Sequence, residues 1–123
     1  MQIDDPQILI EVGALFDRYE RALVSNDVAE LDQLFWDDER TLRYGATENL
    51  VGYQAIREFR ASRSGKGLER QILSRHVTVL GRDAAVTAIT FSRAGQSRIG
   101  RQTQCWARMP QGWRIVAAHV SWM

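Results

Sequence analysis

The chain has 123 residues and a formal net charge of +1, with 45% hydrophobic and 25% charged residues. That composition is ordinary for a globular protein, and the length suits one domain that buries roughly two thirds of its unfolded surface without disulfides or a metal. No apolar run approaches the roughly 18 residues of a membrane span, the acidic opening MQIDDPQ carries no signal-type core, and the lone Cys105 excludes an internal disulfide, so we expect a soluble, reduced, cytoplasmic protein.

Asp5-Pro6 opens the first element, with Asp as N-cap and Pro at the first helical position. Leu9, Val12, Phe16, Tyr19 and Leu23 then fall on one face of a helix running to about Val24. Ser25-Asn26 break it, and Asp27 with Glu30 starts a short second helix carrying Val28, Leu31, Leu34 and Phe35. Thr41 to Tyr44 reads as a short strand closed by Gly45. Glu48 to Gly52 reads as a connector into a third helix, about Tyr53 to Arg63, with Ile56 and Phe59 inward. After the loop Ser64-Gly65-Lys66-Gly67 the period changes from 3.6 to 2. Leu68–Leu80, Ala84–Arg93, Arg98–Met109 and Trp113–Trp122 are strand candidates, separated by turns at Gly81-Arg82-Asp83, Ala94-Gly95-Gln96 and Pro110-Gln111-Gly112. Helices first and an antiparallel meander last predict an α+β fold, with the helices on one face of a curved sheet.

A three-residue loop at Pro110-Gln111-Gly112 pairs Met109 with Trp113, Thr103 with His119 and Gln104 with Ala118. One face then carries Gln102, Gln104, Trp106, Val116, Ala118 and Val120. The other carries Arg101, Thr103, Cys105, Ile115, Ala117, His119 and Ser121. Neither face is fully polar, so both need cover. Three helices cover only one, which predicts a homodimer through the outer face.

The charge pattern limits the chemistry. Fifteen arginines accompany a single lysine, Lys66, and near-zero net charge argues against a nucleic-acid partner. An arginine excess is either base composition or a tool for gripping carboxylates in two-point fashion. His76, His119 and Cys105 have no metal-ligand spacing, and no phosphate loop or nucleophile elbow is present. Cys105 in mid-strand reads as a small buried apolar residue. His119 is either a subunit-contact residue or a ligand contact. Arg57, Arg60 and Arg63 are a solvated helix edge or a lure for an anionic substrate.

Two positions are more informative. Tyr19 lies on an apolar helix face, so its hydroxyl points inward and needs a partner: a backbone carbonyl or a substrate. Arg43 sits between Leu42 and Tyr44. If it points inward it must be paired. No acidic residue shares its strand, which makes a ligand carboxylate a candidate.

The element order resembles the nuclear transport factor 2-like (SnoaL-like) cone, in which helices close a pocket over a curved sheet, here as one domain over 1–123. More narrowly, RYERAL (18–23), LFW (34–36), TLRYGATENLVG (41–52), AIREFRASR (55–63), RIGRQTQCWAR (98–108) and GWRIVAAHVS (112–121) resemble the bacterial oxalurate-catabolism proteins. The only departures from that pattern are Thr103 and Cys105, where Ser and Thr are expected. One branch of this group acts in cyanuric acid breakdown as a decarboxylating amidohydrolase, converting 1,3-dicarboxyurea to urea-1-carboxylate (allophanate). The resemblance implies that Tyr19 and Arg43 are the catalytic pair. Gln102, Gln104, Trp106 and His119 are then expected to contact a small anionic, urea-derived substrate. Neither metal nor organic cofactor is expected. The alternatives are a dimeric small-acid-binding module or accessory subunit of an amidase, and an isomerase or hydratase of a neutral substrate. The last needs a pocket carboxylate, and no inward strand position supplies one.

Overall fold

The computed structural model describes residues 1–123. Its elements follow the order α1 (Pro6–Val24), α2 (Val28–Leu34), β1 (Leu42–Tyr44), β2 (Asn49–Val51), α3 (Tyr53–Ser62), β3 (Gln71–Leu80), β4 (Ala84–Ser92), β5 (Gly100–Met109) and β6 (Gly112–Trp122). The six strands form one sheet in the order β2-β1-β6-β5-β4-β3. All neighbours are antiparallel except β1 and β6, which run parallel and pair Arg43 with Ala118. No helix is long and apolar enough to cross a membrane.

The helix starts follow from capping. The Asp5 carboxylate accepts from the backbone N–H of Gln7 and Ile8, and Asp27 does the same for Glu30. Ile8, Val12, Phe16, Tyr19 and Leu23 of α1 are buried against the inner face of the sheet, where Phe35, Phe91, Trp106 and Ile115 complete the core. Helix α3 buries Ile56 at its start and Arg60 near its end. Arg60 is tolerated there because its guanidinium donates to Asp32 at 2.7 Å and lies over the Phe35 ring.

Four expectations need correcting. The segment expected as a connector before α3 contains β2, which turns back on β1 through Gly45 and Glu48. The last hairpin has a two-residue loop, Pro110-Gln111, with Gly112 in the left-handed region at φ 119° and Met109 opposite Gly112. A bulge beside Cys105 and Trp106 then takes up one residue, which is why Thr103 still faces His119 and Gln104 still faces Ala118. The bulge also puts Ile115, rather than Val116, in the core. Finally, Cys105 is exposed on the outer face, not buried.

That outer face is uncovered in the single chain. Arg101, Thr103, Cys105 and His119 are exposed there, and Leu42, Tyr44 and Ala117 line a shallow depression beside them.

Candidate active site

A second hollow, of about 160 Å³, opens on the inner side, between the helices and the sheet. Helix α1 contributes Tyr19, strand β1 contributes Arg43, and the turn before β2 contributes Glu48. The C-terminal end of α3 supplies Phe59 and Arg63. The sheet supplies Gln102 from β5, with Arg70 and Arg93 from the ends of their segments. Helical period in α1 and strand alternation in β1 both turn their polar groups inward at this point.

Tyr19 is 4% exposed, and its ring packs against Phe35 at a centroid distance of 6.3 Å. It donates to no backbone carbonyl, so the ordinary role of a core tyrosine does not account for its hydroxyl. Arg43 points inward, as its pairing with buried Ala118 requires. Its partner is Glu48, which accepts from Nη1 at 2.8 Å. A protein carboxylate thus takes the place for which a ligand carboxylate was a candidate, and it puts into the cavity a carboxylate that the strand pattern alone did not supply. Burial works to raise the Glu48 pKa, but hydrogen bonds from Thr47 and Arg43 outweigh it and hold the group below its ordinary value.

Arg63 is not on a solvated helix edge. It is half-buried, and its Nε and Nη2 have no hydrogen-bond partner. Burial, and then the neighbouring Arg43, push its pKa down. Arg70 is fixed by Glu20, with Nε donating at 3.0 Å, and its Nη2 donates to Gln102 Oε1 at 3.0 Å. Gln102 is 2% exposed, and its Nε2 is unpartnered. Arg93 has an unpartnered buried Nε, and burial followed by Arg70 lowers its pKa. Four guanidiniums thus meet two carboxylates, Glu48 and Glu20, leaving a positive excess with free donors. Such a wall suits a small anion with more than one carboxylate.

The other expected contacts lie elsewhere. Trp106 Nε1 donates to Thr87 Oγ1 at 3.0 Å, and Thr87 donates to Gln104 Oε1 at 3.2 Å. This buried polar chain places Gln104 and Trp106 in the core rather than on the cavity lining, with Gln104 Nε2 left unpartnered. His119 is exposed on the opposite face, with its ring edge-on to Tyr44 at 6.0 Å. Thr103 and Cys105, where the chain departs from the oxalurate pattern, are also on that face, away from the cavity.

A curved sheet closed by three helices around a polar hollow is the architecture of the nuclear transport factor 2-like class. The comparison with solved structures agrees: a protein of that superfamily from Salmonella enterica shares 27% identity over 94% of this chain and 91% of its own, with a TM-score of 0.77. The chain belongs to the AtzH-like family, whose family model matches residues 1–123. A crystallised protein of unknown function from Pectobacterium atrosepticum is 53% identical over 98% of this chain and 94% of its own, with a TM-score of 0.96. A cystatin-like fold protein from Burkholderia xenovorans is 41% identical over 100% and 97%, with a TM-score of 0.95. No curated protein matches the chain.

Proposed function

We propose that this protein is a cofactor-independent decarboxylating amidohydrolase of a small ureido dicarboxylate, with 1,3-dicarboxyurea as substrate and urea-1-carboxylate (allophanate) as product. It would serve cyanuric acid or oxalurate-type nitrogen catabolism. The observation that carries the reading is the convergence of Tyr19 and Arg43, from distant parts of the chain, on one hollow with surplus positive charge. The AtzH-like family and the quoted motifs support the same reading.

The chemistry follows from those groups. An N-carboxylate loses CO2 when its N–C bond breaks, the electron pair stays on nitrogen and a proton joins that nitrogen. Arg43 orients the departing carboxylate. The Tyr19 hydroxyl gives the proton to nitrogen and recovers one from solvent. Arg63 lines the same hollow as Tyr19 and brings positive charge to it. Attack by water is the weaker route, because the nearby carboxylate, Glu48, is held as a poor base by Arg43 and Thr47. The same property weighs against a proton-shuttling isomerase of a neutral substrate.

The test is direct. Purified protein should speed the loss of 1,3-dicarboxyurea and release allophanate. Decay at the spontaneous rate would end the enzyme reading and leave a small-acid-binding module or an amidase accessory subunit. The same proposal includes a homodimer through the outer sheet face, supported by the exposed Tyr44 and the depression beside it.

A further inference from the structure

We infer that the cavity holds a dianion by its two ends: Tyr19, Arg43 and Arg63 take the reacting carboxylate, while Arg93, Arg70 and Gln102 form a second carboxylate subsite that selects dicarboxylates over monocarboxylates. The choice of the reacting end rests on the functional reading above. The two-ended binding rests on the arrangement of the arginines.

That arrangement has a repeated design. Arg43 and Arg63 share the Phe59 ring, at 5.4 and 6.0 Å from its centroid. Arg70 and Arg93 share the Phe91 ring, at 4.4 and 5.8 Å, and Arg93 also lies 5.5 Å from Trp122. The guanidiniums are therefore two pairs rather than a scatter. In each pair one member is anchored by a carboxylate of the protein, Arg43 by Glu48 and Arg70 by Glu20. In each pair the other member keeps unpartnered buried donors, Arg63 at Nε and Nη2 and Arg93 at Nε. Buried donors left unpaired are costly, and so are like charges side by side. An anion placed at each end relieves both costs.

Gln102 fixes the chemistry of the second end. Its Oε1 already accepts from Arg70, and the atom left with no partner is Nε2, a donor. The unpartnered donors of Arg93 and Gln102 suit a group with two acceptor oxygens. A carboxylate meets that demand. Burial and the adjacent Arg70 press the Arg93 charge in the same direction. The hollow, of about 160 Å³, has room for a short chain between the two carboxylates.

The experiment is calorimetric titration with glutarate and with pentanoate, stable acids of equal chain length that differ by one carboxylate. The wild-type protein should bind glutarate about tenfold tighter or more, the gain expected from one charge-assisted carboxylate contact. Arg93→Met, which keeps the apolar stem, should bring the two within about twofold by weakening glutarate alone. Gln102→Leu should narrow the gap in the same direction, which guards against a misfolded Arg93 variant. A wild-type protein without the preference, or a preference that survives both Arg93→Met and Gln102→Leu, overturns the second subsite. The two readings fail separately: a clear glutarate preference without turnover of 1,3-dicarboxyurea removes the enzyme and leaves the subsite, and turnover without the preference does the reverse.

Discussion

An interior guanidinium is expensive unless something negative meets it, and in this cavity the protein meets that need only in part. Arg43 has Glu48 and Arg70 has Glu20, but Arg63 and Arg93 keep donors free. Tyr19→Phe should lower turnover of 1,3-dicarboxyurea by about 10²–10⁴-fold, the usual worth of a positioned proton donor, with an unchanged circular dichroism spectrum. Arg43→Ala should both weaken substrate capture and slow the chemical step in the same assay. Glu48 gives a stability signature. Its pKa in the folded chain lies below its ordinary value of 4.5, so folding favours the ionised form. That contribution is present above the ordinary value and is lost as pH falls through the depressed one. The melting temperature of the wild-type protein should therefore exceed that of Glu48→Gln near neutral pH, and the gap should close as acid protonates the carboxylate. At this scale the sequence was readable where period fixed direction, as at Tyr19 by helical spacing; for Arg43, between Leu42 and Tyr44, it left inward and outward both open. It left Arg63 between a solvated edge and an anion lure and was silent on Glu48 and Arg93, because each reaches the cavity from the end of an element, where alternation no longer says which way a side chain turns.

Long elements were legible, and of the short ones α2 and β1 were read while β2 was not. Four strands announced themselves through alternation and glycine-marked turns, whereas three-residue β2 is too brief to show a period and is held by pairing with β1. The bulge at Cys105 and Trp106 left no mark in the pattern, and it moved Ile115 rather than Val116 into the core. Gln104 and Trp106 were placed on the correct face, but face alone does not distinguish a cavity wall from packed interior, and Thr87 claims both through hydrogen bonds. One glycine ties the sheet to the site. Gly100 pairs with Phe91 across β4 and β5, and a Cβ there would stand 2.3 Å from the Phe91 ring tip. That ring is fully buried and carries Arg70 and Arg93. Gly100→Ala should destabilise by about 1–3 kcal/mol, as overpacking does, read as a fall in the urea midpoint. It should also weaken glutarate binding by displacing the ring under Arg93.

Over the whole molecule the sheet has two unlike sides. The inner side meets the helices and contains the cavity, while the outer side presents Leu42, Tyr44, Ala117 and Cys105 among polar neighbours. The proposed homodimer closes that side, and light scattering at micromolar concentration should return twice the mass of one chain. Tyr44→Glu, placing a charge in the contact, should shift the population to single chains. His119 and Arg101 belong to this contact in the proposal, which gives His119 a structural part instead of a chemical one.

The crowding of four guanidiniums in one hollow has a consequence beyond recognition. Repulsion among them subtracts from the stability of the native chain, and any fitting dianion returns it, with interest set by concentration over affinity. Under the proposed function the protein would be its own gauge of supply: cells rich in the metabolite would keep more of it intact against proteases, and starved cells would clear it sooner. Persistence, and not only catalytic rate, would track the nitrogen source on offer.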